Sequence, residues 1–301
     1  MLDAWGDHPA VAETLREASA ALDEDLGALI RTGPKEALAL TTNTQPVMLV
    51  AGVAAWRAWL AEGGATPDVV AGHSLGEYSA LVAAGVLTLA QAAPLVRFRA
   101  QAIQKEVPVG AGAMAAVLGM AADQVIAGCA EVTASFGAGS AECVEAVNFN
   151  DPMQTVIAGS KAAVDKACEV LKASGAKRAL PLPVSAPFHS SLMRPAAEAL
   201  REKLASVEFA APRIPVLNNI DVAVEIAPER IRDALVRQAA GPVRWVEGVQ
   251  ALKARGVATI VECGPGRVLS GMVKRIAPDL VTATVYDPAT LAETRQLLNT
   301  P

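Results

Sequence analysis

The sequence is poor in aromatic residues, cysteines and histidines, and each shortage excludes a kind of protein. Aromatic side chains make up 4% of the 301 residues, whereas hydrophobic residues of all types make up 52%. The core is therefore built mainly from Ala, Val and Leu, which favours close-packed helices on a sheet over an aromatic-rich β-sandwich. The 4 cysteines are widely and irregularly spaced, and with 3 histidines they form no zinc-binding pattern. We expect no metal site and a reducing, cytoplasmic location.

Positive charge and long apolar runs are also scarce. The chain has 26 basic and 31 acidic residues, and its net charge of −5 argues against a nucleic-acid-binding surface, although a local basic patch is compatible with it. The longest uncharged stretch, residues 37–56, contains Pro46 and several polar side chains, so it does not predict a membrane span. The N-terminus reaches a helical pattern at Pro9 without the basic and apolar regions of a signal peptide.

Helical patterns alternate with short apolar runs along most of the chain, which is typical of an α/β fold with a largely parallel sheet. At roughly 150 residues per domain, the chain has room for a large α/β domain and a smaller one. The first part predicts helices over residues 9–22, 45–62, 75–84 and 88–106 and a strand over 68–71. The last part predicts helices over 195–206, 228–240, 246–255 and 267–276 and strands over 214–218 and 259–263.

The pattern between these two parts is different. After a breaker at residues 108–112, it predicts strand, helix, strand, strand, helix and strand over residues 113–119, 121–132, 143–150, 154–159, 161–173 and 177–184. This βαββαβ order is that of a ferredoxin-like unit. We predict an inserted ferredoxin-like subdomain over residues 107–187 and a discontinuous α/β domain over residues 1–106 and 188–301.

The strongest motif for chemistry is Gly-His-Ser-Leu-Gly at residues 72–76, which directly follows a predicted strand and opens a predicted helix. In that position a GxSxG sequence is typical of the nucleophile elbow of hydrolase-like α/β domains. Small residues at Gly72 and Gly76 would allow a tight turn that projects Ser74 above the sheet. The Leu75 N–H at the helix start would be free to stabilise an oxyanion. The alternative is a chance match in a chain rich in Gly and Ala.

A serine nucleophile needs a base, and the sequence offers His8, His73 and His189. His73 adjoins Ser74, so its side chain should point away, and His8 lies in a polar turn near the N-terminus. His189 precedes a predicted helix and could also be an ordinary packed or surface histidine, but with an elbow present it has no competitor as the base. No acidic residue stands out as its partner. The backbone carbonyl of Gln238, near the end of a predicted helix, is the candidate that orients it.

Arg99 lies at the edge of the apolar face of the helix predicted over residues 88–106. It could cover apolar surface with its stem while its charged head reaches water. It could equally form a bidentate clamp for a substrate carboxylate. The residue pattern leaves both interpretations open. The Gly-Pro-Gly turn at residues 264–266 lacks the ending of a phosphate-binding loop, so it favours a structural turn.

Six motifs in a set order resemble those of the malonyl-CoA:acyl carrier protein transacylases of bacterial fatty acid synthesis. They are Gly-His-Ser-Leu-Gly-Glu at 72–77, Arg99 five residues before Gln104, Gly-Ala-Gly-Ala-Met at 110–114, Val-Asn-Phe-Asn at 147–150, Phe-His-Ser at 188–190 and Glu-Cys-Gly-Pro-Gly at 262–266. Each motif alone is modest, but their order and spacing make the set specific. The resemblance runs from the N-terminal helix almost to Leu298.

The resemblance implies a ping-pong transfer of the malonyl group from malonyl-CoA to the phosphopantetheine thiol of acyl carrier protein, with no cofactor. Ser74 would form a malonyl ester with His189 as its base. Gln238 matches the glutamine whose backbone carbonyl holds that histidine in the family. We expect such an enzyme to be a monomer that contacts neither nucleic acid nor a membrane.

The resemblance also implies roles for three further residues. The Leu75 N–H would be an oxyanion donor, and Arg99 would pair with the free carboxylate of the malonyl group. Phe188 matches the pattern of family members that use malonyl rather than methylmalonyl groups. Because carrier proteins are usually acidic, local basic residues are candidates for docking, although each could be an ordinary solvated side chain. They are Lys177, Arg178, Lys253, Arg255, Lys274 and Arg275.

The family normally begins with a buried strand and a Gly-Gln-Gly-Ser-Gln segment whose first glutamine helps to form the oxyanion hole. Residues 2–5 of this sequence match the family residues located just after that segment. We therefore expect either a start assigned too late or a shortened form with impaired activity, because one lost oxyanion donor costs about 10²–10³ in turnover. Two alternatives to the transferase are a serine esterase or thioesterase, and a non-catalytic module that binds carrier protein.

Overall fold

Two parallel strand pairs and one antiparallel sheet organise the computed structural model, which describes residues 2–108, 110–184 and 186–299. The helices are α1 (Pro9–Leu22), α2 (Leu26–Thr32), α3 (Lys35–Ala39), α4 (Thr41–Ala61), α5 (Gly76–Ala83), α6 (Leu89–Glu106), α7 (Ala122–Ser135), α8 (Lys161–Ala173), α9 (Arg194–Ala205), α10 (Pro228–Ala239), α11 (Trp245–Ala254), α12 (Val268–Ile276) and α13 (Pro288–Asn299). The strands are β1 (Val70–Ala71), β2 (Gly112–Leu118), β3 (Val144–Asp151), β4 (Gln154–Ser160), β5 (Arg178–Pro181), β6 (Val216–Leu217), β7 (Thr259–Cys263) and β8 (Val281–Val285).

The parallel strands confirm the predicted α/β class. Strand β1 pairs with β6, with Val70 opposite Val216, and β7 pairs with β8, with Thr259 opposite Val281. In the described residues these pairs form two separate two-stranded sheets, whereas we expected one larger sheet. The predicted strands over 68–71 and 214–218 are each reduced to two paired residues. The site motif directly follows the end of β1.

The middle of the chain forms a four-stranded antiparallel sheet in the order β3-β4-β2-β5. Helices α7 and α8 pack on one face of it, so the chain runs β2-α7-β3-β4-α8-β5, which is the predicted βαββαβ order. The opposite face carries an apolar group that packs against Phe188: Met114, Ala116, Val147, Val156 and Ala158. The ferredoxin-like assignment and its limits at 107 and 187 stay predictions.

The main core lies where helices α4, α5, α6, α9 and α10 meet. It is made mostly of Ala, Val and Leu, with Tyr78 and Phe209 as its buried aromatic residues, as the composition predicted. Small alanines such as Ala92 let the helix backbones approach closely, and each fully buried Leu contributes roughly 1.5–3 kcal/mol to folding. No helix within the described ranges is long and apolar enough to cross a membrane.

Several elements were not predicted from the sequence. Helices α2, α3 and α13 and strand β8 are among them, and α4 begins at Thr41 instead of residue 45. The polar residues at the start of α4 are typical of a loop, but Thr41 and Gln45 are buried, and the Gln45 Nε2 donates to Thr41 Oγ1 at 2.9 Å. Polar side chains satisfied in this way can lie in a buried helix.

The Gly-Pro-Gly turn at residues 264–266 connects β7 to α12, and a carboxylate occupies the start of that helix. The side chain of Glu262 accepts hydrogen bonds from the N–H groups of Leu269 at 3.1 Å and Ser270 at 2.8 Å. Free N–H groups at a helix start are what binds a phosphate. Because an anionic side chain already takes these two, the turn is structural, as the sequence favoured.

Candidate active site

The turn between β1 and α5 places Ser74 in a strained backbone conformation. Its φ is +51°, in the left-handed region that L-residues rarely adopt. A Cβ built at Gly72 would overlap the backbone of Gly76, whereas one built at Gly76 would meet nothing within 4 Å. Sterics therefore require glycine at position 72, whereas the prediction that the turn also needs a small residue at position 76 is wrong.

The structure brings His189 into contact with Ser74. The Ser74 Oγ and His189 Nε2 atoms are 2.7 Å apart. On the other side of the ring, His189 Nδ1 lies 2.9 Å from the carbonyl oxygen of Gln238 and 3.1 Å from that of Gly241. Because a carbonyl only accepts, the Nδ1 carries the proton, and Nε2 is left to accept the serine proton.

His73 points away from Ser74, as its position next to the serine predicted. Its Nε2 lies 2.8 Å from Asn150 Oδ1, and its ring packs edge-on against Trp245. Burial lowers the pKa of His73, so the imidazole is neutral at neutral pH. The residue therefore links the elbow to strand β3 of the antiparallel sheet.

Burial also sets the ionisation state of His189. The pKa of His189 is lowered to about 3, mainly because the buried ring loses its hydration and secondly because of the positive charge of Arg99, while the hydrogen bond to the Gln238 carbonyl opposes the shift. The imidazole is therefore uncharged at neutral pH, which is the form that can take a proton from a serine.

Arg99 is buried in the site, with 3% of its surface exposed, so its head does not reach water. Its Nη1 donates to Gln45 Oε1 at 2.6 Å, and its Nη2 donates to Ser74 Oγ at 3.3 Å and to Gln238 Oε1 at 3.4 Å. The Nε has no partner among the described residues. The hydrogen-bond partners of the guanidinium among the described residues are thus all neutral, and one of them is the Ser74 hydroxyl.

Two residues that the sequence analysis missed, Gln45 and Asn219, hydrogen-bond to Arg99 and to the Ser74 turn, respectively. Gln45 enters from α4 and accepts from Arg99, while Asn219 follows the end of β6. The Asn219 Oδ1 accepts the Ser74 N–H at 2.6 Å, and its Nδ2 donates to the Gly72 carbonyl at 2.7 Å. A signal for Asn219 was available, because polar residues at the carboxyl ends of parallel strands are typical of sites.

Two adjoining cavities meet at Ser74. The smaller, of about 270 Å³, reaches the antiparallel sheet and includes Asn148 and Asn150. The larger, of about 450 Å³, reaches α4 and includes Gln45 and Arg99. Phe188 and Val184 line both. The Leu75 N–H, at the start of α5, has no acceptor in the described part of the chain.

Comparison with known proteins places this geometry in a family. The sequence profile of the acyl transferase domain matches residues 5–284. Malonyl CoA-acyl carrier protein transacylase of Escherichia coli (strain K12) is 48% identical over 297 residues, which cover 99% of this chain and 94% of that protein.

Solved structures show the same similarity. The crystal structure of an acyl-carrier-protein S-malonyltransferase from Burkholderia pseudomallei 1710b is 61% identical, with a TM-score of 0.94, and the match covers 98% of this chain and 94% of that one. A chain of the solved complex between a type II PKS acyl-carrier protein and its malonyl-transacylase is 48% identical, with a TM-score of 0.93, covering 97% and 92% of the two chains.

We expect Gly72→Ala and Gly76→Ala to differ sharply, because only the first creates an overlap with backbone. Gly72→Ala should lower the free energy of unfolding by more than about 4 kcal/mol or prevent folding. Gly76→Ala should change it by less than about 1 kcal/mol. Chemical denaturation of both variants is the measurement, and equal effects would contradict this geometry of the turn.

We expect the His189 ring to stay neutral throughout the range in which histidines ordinarily titrate, about pH 5 to 8, because its pKa is far below the ordinary value of 6.5. NMR of ring signals, assigned with a His189→Gln variant, measures this. Arg99→Ala should raise the midpoint, since it removes a positive charge beside the ring. A wild-type midpoint near 6.5 would contradict the burial of His189.

Proposed function

The chain belongs to the acyl transferase domain family, and we propose that it transfers a malonyl group from malonyl-CoA to the phosphopantetheine thiol of an acyl carrier protein. The observation that carries this proposal is the environment of Arg99. A buried cation with no ion-pair partner is costly unless an anion joins it. Among the described residues no carboxylate pairs with Arg99, and its Nη2 lies 3.3 Å from the Ser74 Oγ. A ligand carboxylate attached to an acyl group on Ser74 would complete the site.

In the first half of the reaction, Ser74 Oγ attacks the thioester carbon of malonyl-CoA while His189 Nε2 takes the serine proton. The carbonyl oxygen becomes an oxyanion, and the Leu75 N–H is placed to donate to it. The intermediate then expels the CoA thiolate, which takes the proton from His189. The product is a malonyl ester of Ser74.

In the second half, the phosphopantetheine thiol of the carrier protein gives its proton to His189 and attacks the ester carbon. Collapse of the second tetrahedral intermediate returns the proton to Ser74 Oγ and releases malonyl carrier protein. The Gln238 carbonyl holds the Nδ1–H in both halves, so Nε2 faces the reacting atoms throughout. Arg99 would keep the acyl carboxylate in place between the two halves.

The two cavities fit a division between acyl group and thiol carrier. The described lining of the smaller cavity includes no Lys, Arg, Asp or Glu, but it presents Asn148 and Asn150 among apolar side chains. Asn148 is 5% exposed, and its Oδ1 has no partner among the described residues. This lining suits the uncharged amide groups of a pantetheine arm, which malonyl-CoA and carrier protein share. The larger cavity, with Arg99, suits the malonyl carboxylate.

Phe188 lies at the junction of the two cavities, where it would limit the bulk allowed beside the thioester. This position supports its proposed role in favouring malonyl over methylmalonyl groups. A serine esterase would use the same Ser74 and His189, but it has no need for a buried Arg99. A module that only binds carrier protein has no need for the contact between serine and histidine.

Acyl carrier protein is the proposed partner, and the basic candidates for docking all lie on the surface. Two of them already form ion pairs, Lys253 with Asp279 at 2.8 Å and Arg275 with Asp151 at 2.7 Å. The Lys253 pair is exposed on both sides, and pairs of that kind contribute little to stability and can exchange partners, whereas the Asp151 carboxylate that holds Arg275 is buried. The docking face, a monomeric state, a cytoplasmic location and the lack of a cofactor stay predictions.

The proposal is tested by incubating the protein with malonyl-CoA and analysing peptides by mass spectrometry. We expect a malonyl adduct on the peptide that contains Ser74, absent from Ser74→Ala, and faster loss of that adduct to carrier protein than to water. Absence of the adduct from the wild type would contradict the proposed enzyme activity. Loss of the adduct to water as fast as to carrier protein would indicate an esterase.

We expect Arg99→Ala to lower kcat/KM for malonyl-CoA about 10- to 100-fold more than for acetyl-CoA. The malonyl group has a free carboxylate that would lose its charged hydrogen bond to Arg99, whereas the acetyl group has no such carboxylate. Arg97→Ala is the matched control, since Arg97 is on the same helix but pairs with Glu24 at the surface. It should leave both values nearly unchanged. Equal losses on both substrates in Arg99→Ala would contradict the clamp.

A further inference from the structure

Glu77 is a buried carboxylate directly behind the nucleophile turn, in the first turn of α5. It is 1% exposed, and it touches neither cavity at Ser74. Its Oε2 accepts two hydrogen bonds, from the Asn219 N–H at 2.9 Å and from the Gln238 Nε2 at 2.9 Å. A buried carboxylate is expensive to keep, so its place between these two residues calls for an explanation.

The first partner, Asn219, controls the turn that carries the nucleophile. Its side chain accepts from the Ser74 N–H and donates to the Gly72 carbonyl, so one amide spans the strained segment. The Glu77 carboxylate binds the backbone N–H of the same residue. Glu77 therefore holds the support of the Ser74 turn from behind.

The second partner, Gln238, controls the base. Its backbone carbonyl accepts from His189 Nδ1, and its side-chain Oε1 accepts from Arg99. Its Nε2 is shared between Glu77 and the Ser74 carbonyl, the latter at 3.1 Å. The side-chain orientation of Gln238, at the end of α10, thus depends on the carboxylate beneath it.

We propose that Glu77 is a positioning residue that sets the distance between Ser74 and His189 by binding Asn219 and Gln238 together. These partners come from the loop after β6 and from α10, while Glu77 comes from α5. One carboxylate oxygen fixes three separate segments relative to each other. An error of about 1 Å in such a contact can cost about 10²-fold in rate.

The negative charge of Glu77 has a second effect in the same place. It attracts the buried guanidinium of Arg99, and each group shifts the pKa of the other toward the charged form. Burial acts against this and raises the pKa of Glu77 to about 7. The proposed positioning depends on the two hydrogen bonds and not on the charge. A Glu77→Gln variant separates the two, because its amide keeps an acceptor oxygen but carries no negative charge.

The test uses the intact chain and a fluorophosphonate probe, which reports how readily Ser74 reacts. The serine oxygen displaces fluoride from phosphorus and His189 takes the proton, so no malonyl recognition is involved. This inference rests on the proposed function. The probe nevertheless distinguishes a wrong substrate from a wrong role of Glu77, because wild-type protein that labels with the probe but not with malonyl-CoA contradicts the proposed substrate alone.

We expect Glu77→Ala to slow labelling of folded protein about 10- to 100-fold, whereas Glu77→Gln should stay within about fivefold of wild type because its amide oxygen accepts the same two N–H groups. Glu77→Asp, which keeps the charge but is one methylene shorter, should resemble Glu77→Ala. With malonyl-CoA, kcat should fall more than KM rises.

Glu262→Ala is the matched control, because Glu262 also accepts two N–H groups but lies at the start of α12. It should lower the unfolding temperature without slowing labelling per folded molecule. If Glu77→Ala does not fold, Glu77→Asp decides the matter. Labelling of the folded Ala or Asp variant at the wild-type rate, or a Gln variant as slow as Ala, would overturn the proposal.

Discussion

The strained turn at Ser74 is the constraint on which the rest of the site depends. A non-glycine residue with φ of +51° costs roughly 1–3 kcal/mol, and such conformations persist only where the surroundings hold them. Here the surroundings are the Asn219 side chain, which bonds both sides of the turn, and Gly72, where any side chain would overlap backbone. The strain aims the serine hydroxyl at His189 and leaves the next N–H at the helix start without an acceptor among the described residues.

Electrostatics around the turn is arranged by burial. His189 is neutral because a buried imidazolium beside the Arg99 cation would be unfavourable. Arg99 itself contacts neutral amides and the serine, with the Glu77 carboxylate behind them. Among the described residues no anion faces Arg99 from the cavity side, and under the proposed function the carboxylate of the acyl group would supply one.

The sequence predicted the parts of the site that lie in local patterns. Ser74 is in a motif that follows a strand and opens a helix, and the strand and helix are present at 70–71 and 76–83. The choice of His189 followed from having 3 histidines, two of them unsuitable. Gln45 could not be found in this way, because its place at the start of a predicted helix does not show that its side chain meets Arg99, a contact that forms only when α4 and α6 pack together.

What the sequence alone determined was the alternation of helices and strands, the position of the serine turn and the few residues able to serve as base. Only the tertiary structure decided which distant groups meet. Asn219, Gln238 and Glu77 come from three segments, and their hydrogen bonds form only when β6, α10 and α5 pack against each other. The physical reason is that local periodicity records which face of an element is buried, whereas a network among polar atoms is set by the packing of whole elements.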